Sequence, residues 1–394
     1  MEKKYFEHIT FVDFGVFLLY SIVFFILLLL LMRQLNVRGK QSTFVVGVFF
    51  IAYHLLIPLD FVFNFIPYLP DSDIYSFIFK NDYAPSKMPT SLIGFYYFIS
   101  IFKLFLGKNI LAYLSFQIFI YFASILVLLK SWELLYKHKM QETFRQFFLG
   151  FSLLLPTSFL YSLVALREAF ALFAFAVSIY FLILLFKKAA VINSGFLSGI
   201  ILVFFTRMQV VFYFILTFLG LKVSLDKNIA RKIMVIFVGT ALFIGLVLVT
   251  NYQLSPQKLE YARNYRVDYY ANTYGKVNWK SYSDVLASAP ILTTQFLLAP
   301  LPILHNKNFT QYKLATLDVV MLIFILLIVI VNLPSIVREH KFWLSLIVIY
   351  LLLFGIYEFN ILGAVRHRLP LTILLIALSS SKLATLFTKK IQHA

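Results

Sequence analysis

Apolar residues run along this chain in long unbroken stretches, not in strict alternation. Stretches at 11–32, 44–65, 109–129, 147–166, 169–186, 233–250, 314–331 and 342–359 approach or exceed the roughly 18–20 residues that cross a bilayer as a helix. Three shorter pieces, 195–205, 208–221 and 371–381, complete the series. Continuous apolar runs are the mark of helices and exclude a transmembrane barrel. The pattern predicts an all-α, polytopic membrane protein of about 11 transmembrane helices forming one integral membrane domain over 1–394.

The polar connections orient the helices. Segment 33–41 carries Arg33, Arg38 and Lys40 with no acid, which places it on the cytoplasmic side. Segment 67–89 is broken by Pro67, Pro70, Pro85 and Pro89 and holds Asp71, Asp73 and Asp82 against Lys80 and Lys87, so it reads as an outer loop. Segment 130–145 sets Lys130, Lys137, Lys139 and Arg145 against Glu133 and Glu142 and reads as inside. For both assignments to hold, the apolar piece 91–106 must lie at the outer surface or re-enter from it. Segment 285–304, interrupted by Pro290, Pro300 and Pro302, is read in the same way. The outcome is an N-terminus outside, a C-terminus in the cytoplasm, and outer loops at 67–108 and 251–313 that form part of any outward-facing site.

Composition changes this picture little. Charged residues make up 13% of the 394, against about 25% in soluble domains, which supports a membrane protein. The first apolar run is too long for the core of a cleavable signal peptide, and no small-x-small site follows it. With no cysteine there is no disulfide, thiol nucleophile or thiolate metal site. The formal charge of +18 belongs to cytoplasmic loops and is no sign of a nucleic-acid partner. Nucleotide-binding loops and hydrolase signatures are missing, and no cofactor or metal is called for.

Ionisable residues at membrane depth are costly and need a reason. Arg167 and Glu168 interrupt the apolar stretch 156–186, and the topology moves them to the outer end of a helical hairpin. Asp71, Asp73, Arg207, Arg263, Arg266, Asp268, Arg366 and Arg368 are assigned to the same face. Guanidinium groups pair with phosphate through two parallel hydrogen bonds. Arg207, Arg366 and Arg368 have no acid beside them in sequence, and neighbours on a helix point apart, so Glu168 need not neutralise Arg167. The bland alternatives are snorkelling arginines, an Arg167–Glu168 ion pair, aspartates that cap the helix starting at Ile74, and tyrosines of 251–282 in an interfacial aromatic belt. His54, beside Pro58 and Asp60, reads as a histidine satisfied within the bundle.

The motifs PDSDIY, LREAFALFAF, TRMQ and GAVRHRLP, in that order between Asp71 and Pro370, resemble the membrane enzymes of polysaccharide assembly. These are the EpsG/Wzy-type oligosaccharide repeat-unit polymerases and the wider GT-C glycosyltransferases. The resemblance implies a glycosyltransferase of the bacterial cytoplasmic membrane acting at the outer leaflet on polyprenyl-pyrophosphate-linked oligosaccharide, alongside other polysaccharide-assembly proteins. It implies that Arg167, Arg207, Arg366 and Arg368 hold the donor's phosphates. Asp73, Asp71 or Glu168 would activate the acceptor hydroxyl, and Tyr75, Gln209, Arg263, Arg266 and His367 would contact acceptor or sugar. The acidic motif follows the second span, where GT-C enzymes place it after the first, and no large soluble domain exists. Both points favour a polymerase over a single-sugar GT-C transferase. A flippase or secondary transporter would instead show inverted repeats, and none is seen.

Overall fold

The computed structural model describes residues 9–37, 39–66, 70–80, 90–136, 142–187, 199, 201, 210, 213–218, 255–269, 273–301 and 310–392. Among them the regular structure is helical, apart from one isolated bridge between Thr273 and Asn360. Six helices are long and apolar enough to cross a membrane, or eight if each of two bent pairs counts as one span. This fits a polytopic helical membrane protein. The finer count of eleven includes stretches at 195–221 and 233–250 that lie almost wholly outside the described residues.

The chain divides into two compact units, one of Met1–Val211, Phe309–Gln311 and Ile376–Ala394, the other of Phe212–Asn308 and Tyr312–Leu375. The first contains α1 (Phe11–Gln34), α2 (Lys40–Phe63), α3 (Pro70–Lys80), α4 (Thr90–Leu106), α5 (Ile110–Leu135), α6 (Glu142–Leu154), α7 (Pro156–Leu163) and α8 (Glu168–Phe186). Helix α5 is its axis: 94% of its most apolar window is buried, against 17% for α1, so α5 faces protein and α1 faces outward. The polar side chains of α5 explain why. Ser124 and Ser131 hydroxyls bond back to carbonyls of their own helix, while Tyr113, Ser115, Gln117 and Tyr121 find partners on neighbouring elements.

The stretch 147–166, read as one span, is two helices meeting at 60°. Pro156 has no N–H to give and disfavours helical geometry in the residue before it, so α6 stops at Leu154. The carbonyls stranded by this break are taken by tyrosines. Tyr121 Oη donates to Ser152 O at 2.7 Å, and Tyr53 Oη donates to Leu153 O at 3.0 Å. His54 behaves as the sequence suggests, with Nδ1 against Phe50 O at 2.8 Å and Nε2 against Ser115 Oγ at 2.9 Å.

The two ends of this unit differ in charge. At one end, Arg145 pairs with Glu133 and Glu142, Lys130 pairs with Glu133, and Lys187 donates to Leu134 O. Glu142 there caps a different helix, accepting Ser42 N at 2.9 Å and Ser42 Oγ at 2.7 Å. The α2 N-cap is Gly39, and a Cβ on it would fall 2.2 Å from Glu142 Oε1, so only glycine allows the carboxylate to approach. At the other end, Asp13 accepts from Asn109 at 2.8 Å and Asp60 accepts Ile66 N at 2.7 Å. Helix α4 stays near that second end. Its phenylalanines meet Phe116 early in α5 and Phe170 early in α8.

The second unit contains α9 (Pro256–Tyr269), α10 (Tyr282–Leu298), most of α11 (Thr310–Val331), α12 (Leu333–Glu339), α13 (Lys341–Tyr357), α14 (Ile361–His367) and the start of α15 (Leu369–Gln392). Pro290 does not interrupt its segment as expected. Helix α10 runs through it with the proline ring on the exposed face, where the missing N–H costs least. Helices α10 and α13 approach closely at Gly355, where a Cβ would meet Thr293 Cα at 2.7 Å. Helices α12 and α13 meet at 110° around His340.

Candidate functional site

In the first unit the sequence-predicted residues gather at the turn between α7 and α8. After Leu163 the chain extends through Val164 and re-enters helix at Glu168, with Arg167 as the N-cap residue. The turn is held from α5 by two side chains four residues apart, and hence on one helix face. Gln117 Nε2 donates to Tyr161 O at 2.7 Å and Val164 O at 2.8 Å, and its Oε1 accepts Leu166 N at 3.4 Å. Tyr113 Oη donates to Leu166 O at 3.1 Å. Arg167 is half-buried. Glu168 is 4% exposed in the first turn of α8, where the helix dipole favours a carboxylate.

Helix α3, which carries the acidic motif, packs on the same α5 tyrosine through its later residues. It begins at Pro70, a residue suited to a first helical position, so Asp71 and Asp73 sit inside the first turn and not at the cap before Ile74. Their side chains lie outside the described residues. Tyr75 is buried edge-on against Phe95, with ring centroids 5.4 Å apart. Phe79 packs on Tyr113 at 4.7 Å. Tyr113 interacts electrostatically with both Tyr75 and Glu168. The structure therefore brings Tyr75, Glu168 and the α3 helix to one tyrosine, next to Arg167. Arg207 and Gln209 lie outside the described residues.

In the second unit the arginines have different tasks. Arg368 is fully buried, pairs with Asp318 of α11 at 2.9 Å, and donates through Nη1 to Leu297 O at 3.0 Å and to Ala299 O. Those carbonyls close the C-terminal end of α10. The assignment of Arg368 to a phosphate gives way here: its guanidinium is used to neutralise a buried aspartate and cap a helix. Arg263 does the same for α13. It is buried, and Nη1 donates to Ile356 O at 3.1 Å and Glu358 O at 2.8 Å. Burial pulls its pKa down to about 10, with the nearby Glu358 opposing, so it stays cationic at neutral pH. The resemblance gives Arg263 an acceptor or sugar contact; here its Nη1 holds the last carbonyls of α13.

Arg266 is exposed, donates to Tyr357 Oη at 3.0 Å, and lies over the Tyr357 and Phe359 rings at 5.8 and 5.7 Å. Arg366 is half-buried in the last turn of α14. Its neighbour His367 meets Glu358 through Nδ1 and Oε2. Glu358 also accepts Phe359 N at 3.2 Å and Asn360 N at 3.0 Å through Oε1.

Sequence reasoning missed four residues of these sites: Glu358, Asp318, Gln117 and Tyr113. Glu358 and Asp318 carried a signal, each being a carboxylate inside or at the end of an apolar run. Gln117 and Tyr113 carried none beyond polarity. Protein-family models, curated proteins and solved structures were all compared with the chain, and none matches.

Proposed function

We propose that this chain is a membrane glycosyltransferase that works at the outer leaflet on polyprenyl-pyrophosphate-linked sugars and joins oligosaccharide repeat units. One observation carries the reading. At the end of the first unit away from the Lys/Arg-rich loops, a half-buried arginine and a buried glutamate stand at the turn that α5 holds, and Phe79 of the helix that carries the Asp-x-Asp motif packs on Tyr113 of the same α5 face. The charge difference between the two ends supports placing this end outside.

The chemistry suits these groups. A lipid pyrophosphate is already a good leaving group, so the enzyme needs charge stabilisation, positioning and one proton acceptor, with no nucleotide. Arg167 takes the phosphate role. Asp71, Asp73 and Glu168 are the carboxylates the resemblance offers for the acceptor's proton. The test is purified protein in liposomes with synthetic polyprenyl-pyrophosphate-linked repeat units, scored for a ladder of products. Arg167→Ala should lower the rate by about 10²–10³ while the protein stays inserted. A normal ladder from that variant would end the assignment.

A further inference from the structure

Leu166, the residue before Arg167, is held at both ends from α5. Its N–H is accepted by Gln117 Oε1 at 3.4 Å, and its carbonyl accepts from Tyr113 Oη at 3.1 Å. On the far side, Arg167 O accepts Ala171 N–H at 2.9 Å and joins α8. Arg167 itself takes φ −97° and ψ −2°, the sparsely occupied bridge between helix and strand where many active-site residues sit. A helix leaves its first N–H groups without partners of its own, so on its amino side Arg167 is oriented by α5 and not by α8.

Tyr113 is well anchored for that task. It is fully buried, one turn into α5. The Asn109 cap of that helix accepts Ala112 N–H at 3.0 Å and donates to Asp13 of α1 at 2.8 Å. The Tyr113 ring packs on Phe79 of α3, with centroids 4.7 Å apart, and on Phe170 of α8 at 6.0 Å. These neighbours fix where the hydroxyl stands. We propose that Tyr113 is a positioning residue for Arg167: through the Leu166 carbonyl it sets the backbone from which the guanidinium reaches the donor's pyrophosphate. This role rests on the glycosyl-transfer reading, and Tyr113 itself touches neither donor nor acceptor.

In that reaction the acceptor oxygen bonds to the donor's anomeric carbon and gives its proton to a carboxylate. The bond from that carbon to the pyrophosphate oxygen breaks, and its electron pair leaves with the polyprenyl pyrophosphate. Negative charge therefore grows on the pyrophosphate as the transition state is reached. A guanidinium already aimed at that charge speeds the chemical step, and one held loosely loses part of this benefit to its own reorganisation. A displacement of about 1 Å at such a group can cost about 10²-fold in rate. Loss of the Tyr113 hydroxyl should thus lower kcat and leave KM little changed.

The experiment is a double-mutant cycle in the liposome assay. Tyr113→Phe removes Oη but keeps the ring against Phe79 and Phe170, and should lower kcat by about 10- to 10²-fold with KM little changed. In the Arg167→Ala background the same change should cost almost nothing more, because the group being positioned is gone. A tyrosine that merely supports the fold would cost the same factor in both backgrounds. Equal factors therefore overturn the proposal, as does wild-type kcat in Tyr113→Phe. Melting in detergent checks that the variants fold. If Tyr113→Phe does not fold, amide exchange of the wild type decides. Slow exchange of Leu166 N–H, the other end of the same clamp, supports the proposal, and exchange as fast as in an open loop overturns it. A folded wild type that makes no ladder ends both this proposal and the transferase reading, whereas a ladder with equal factors in the two backgrounds ends this one alone.

Discussion

At Val164 and Leu166 in the first unit, stranded carbonyls are held by the neutral side chains of Gln117 and Tyr113. At Ala299 and Glu358 in the second, they are held by Arg368 and Arg263. Both regions interrupt a helix in a largely apolar setting, and both must satisfy backbone groups that water does not reach. The neutral solution adds no charge to the turn. The cationic solution needs a compensating carboxylate, which Asp318 supplies to Arg368 and Glu358 to the surroundings of Arg263. An arginine near a membrane face is thus no evidence of an anionic ligand until its neighbouring carbonyls have been counted.

That contrast can be broken experimentally. The largest effect belongs to Arg368→Met, which takes away the guanidinium that faces the buried Asp318 of α11. We expect a loss of about 3–5 kcal/mol, read as a lowered melting temperature in detergent, with Arg368→Met plus Asp318→Leu recovering much of it. If the single variant melts like wild type, the arginine does not hold the second unit together. Gln117→Leu should cost less, about 1–3 kcal/mol, by stranding two buried carbonyls without leaving a charge. An effect as large as that of Arg368→Met would erase the distinction between the two solutions.

The smallest effect is at the start of α10. Asp284 closes a capping box, accepting the N–H groups of Ser281 and Lys280 at 2.8 and 2.9 Å. These bonds, the Ser281 backbone bond first, hold its carboxyl below the usual carboxylate range. A depressed folded pKa contributes stability above the unfolded value of about 4, and that stability is lost as pH falls through the folded value. Asp284→Asn should therefore lower the melting temperature slightly at neutral pH, change it least in acid, and so flatten the acid end of the profile. An unchanged acid end would remove Asp284 from the account.

The helical class and the positions of the long spans were readable because unbroken apolar runs have few other solutions in a bilayer. The turn at Arg167 was readable for the same reason, since charge inside such a run forces a helix end nearby. The break at Pro156 was visible as a proline but was absorbed into a span, because hydropathy does not register a lost N–H. The roles of Arg263 and Arg368 were not legible. Each depends on carbonyls and a carboxylate at least 50 residues away in sequence, and a guanidinium looks the same in sequence whether it binds phosphate or backbone. Glu358 was passed over because it closes an apolar run like any interfacial residue, and its meaning comes only from the return of the chain at His367.

The contrast between α5 and α1 reaches back to how the chain is made. Helix α1 shows most of its surface outward, so a bilayer can accept it as soon as it emerges from the ribosome. Helix α5 carries Ser115, Gln117, Ser124 and Ser131 at positions that end fully buried, and the turn that Gln117 binds is synthesised some fifty residues later. Until α7 and α8 arrive, that amide faces lipid or a chaperone without its partner. Ribosome pausing between 135 and 165 should therefore do more harm than pausing elsewhere in the first unit, since it prolongs the interval in which the central helix lacks the segment it was shaped to hold.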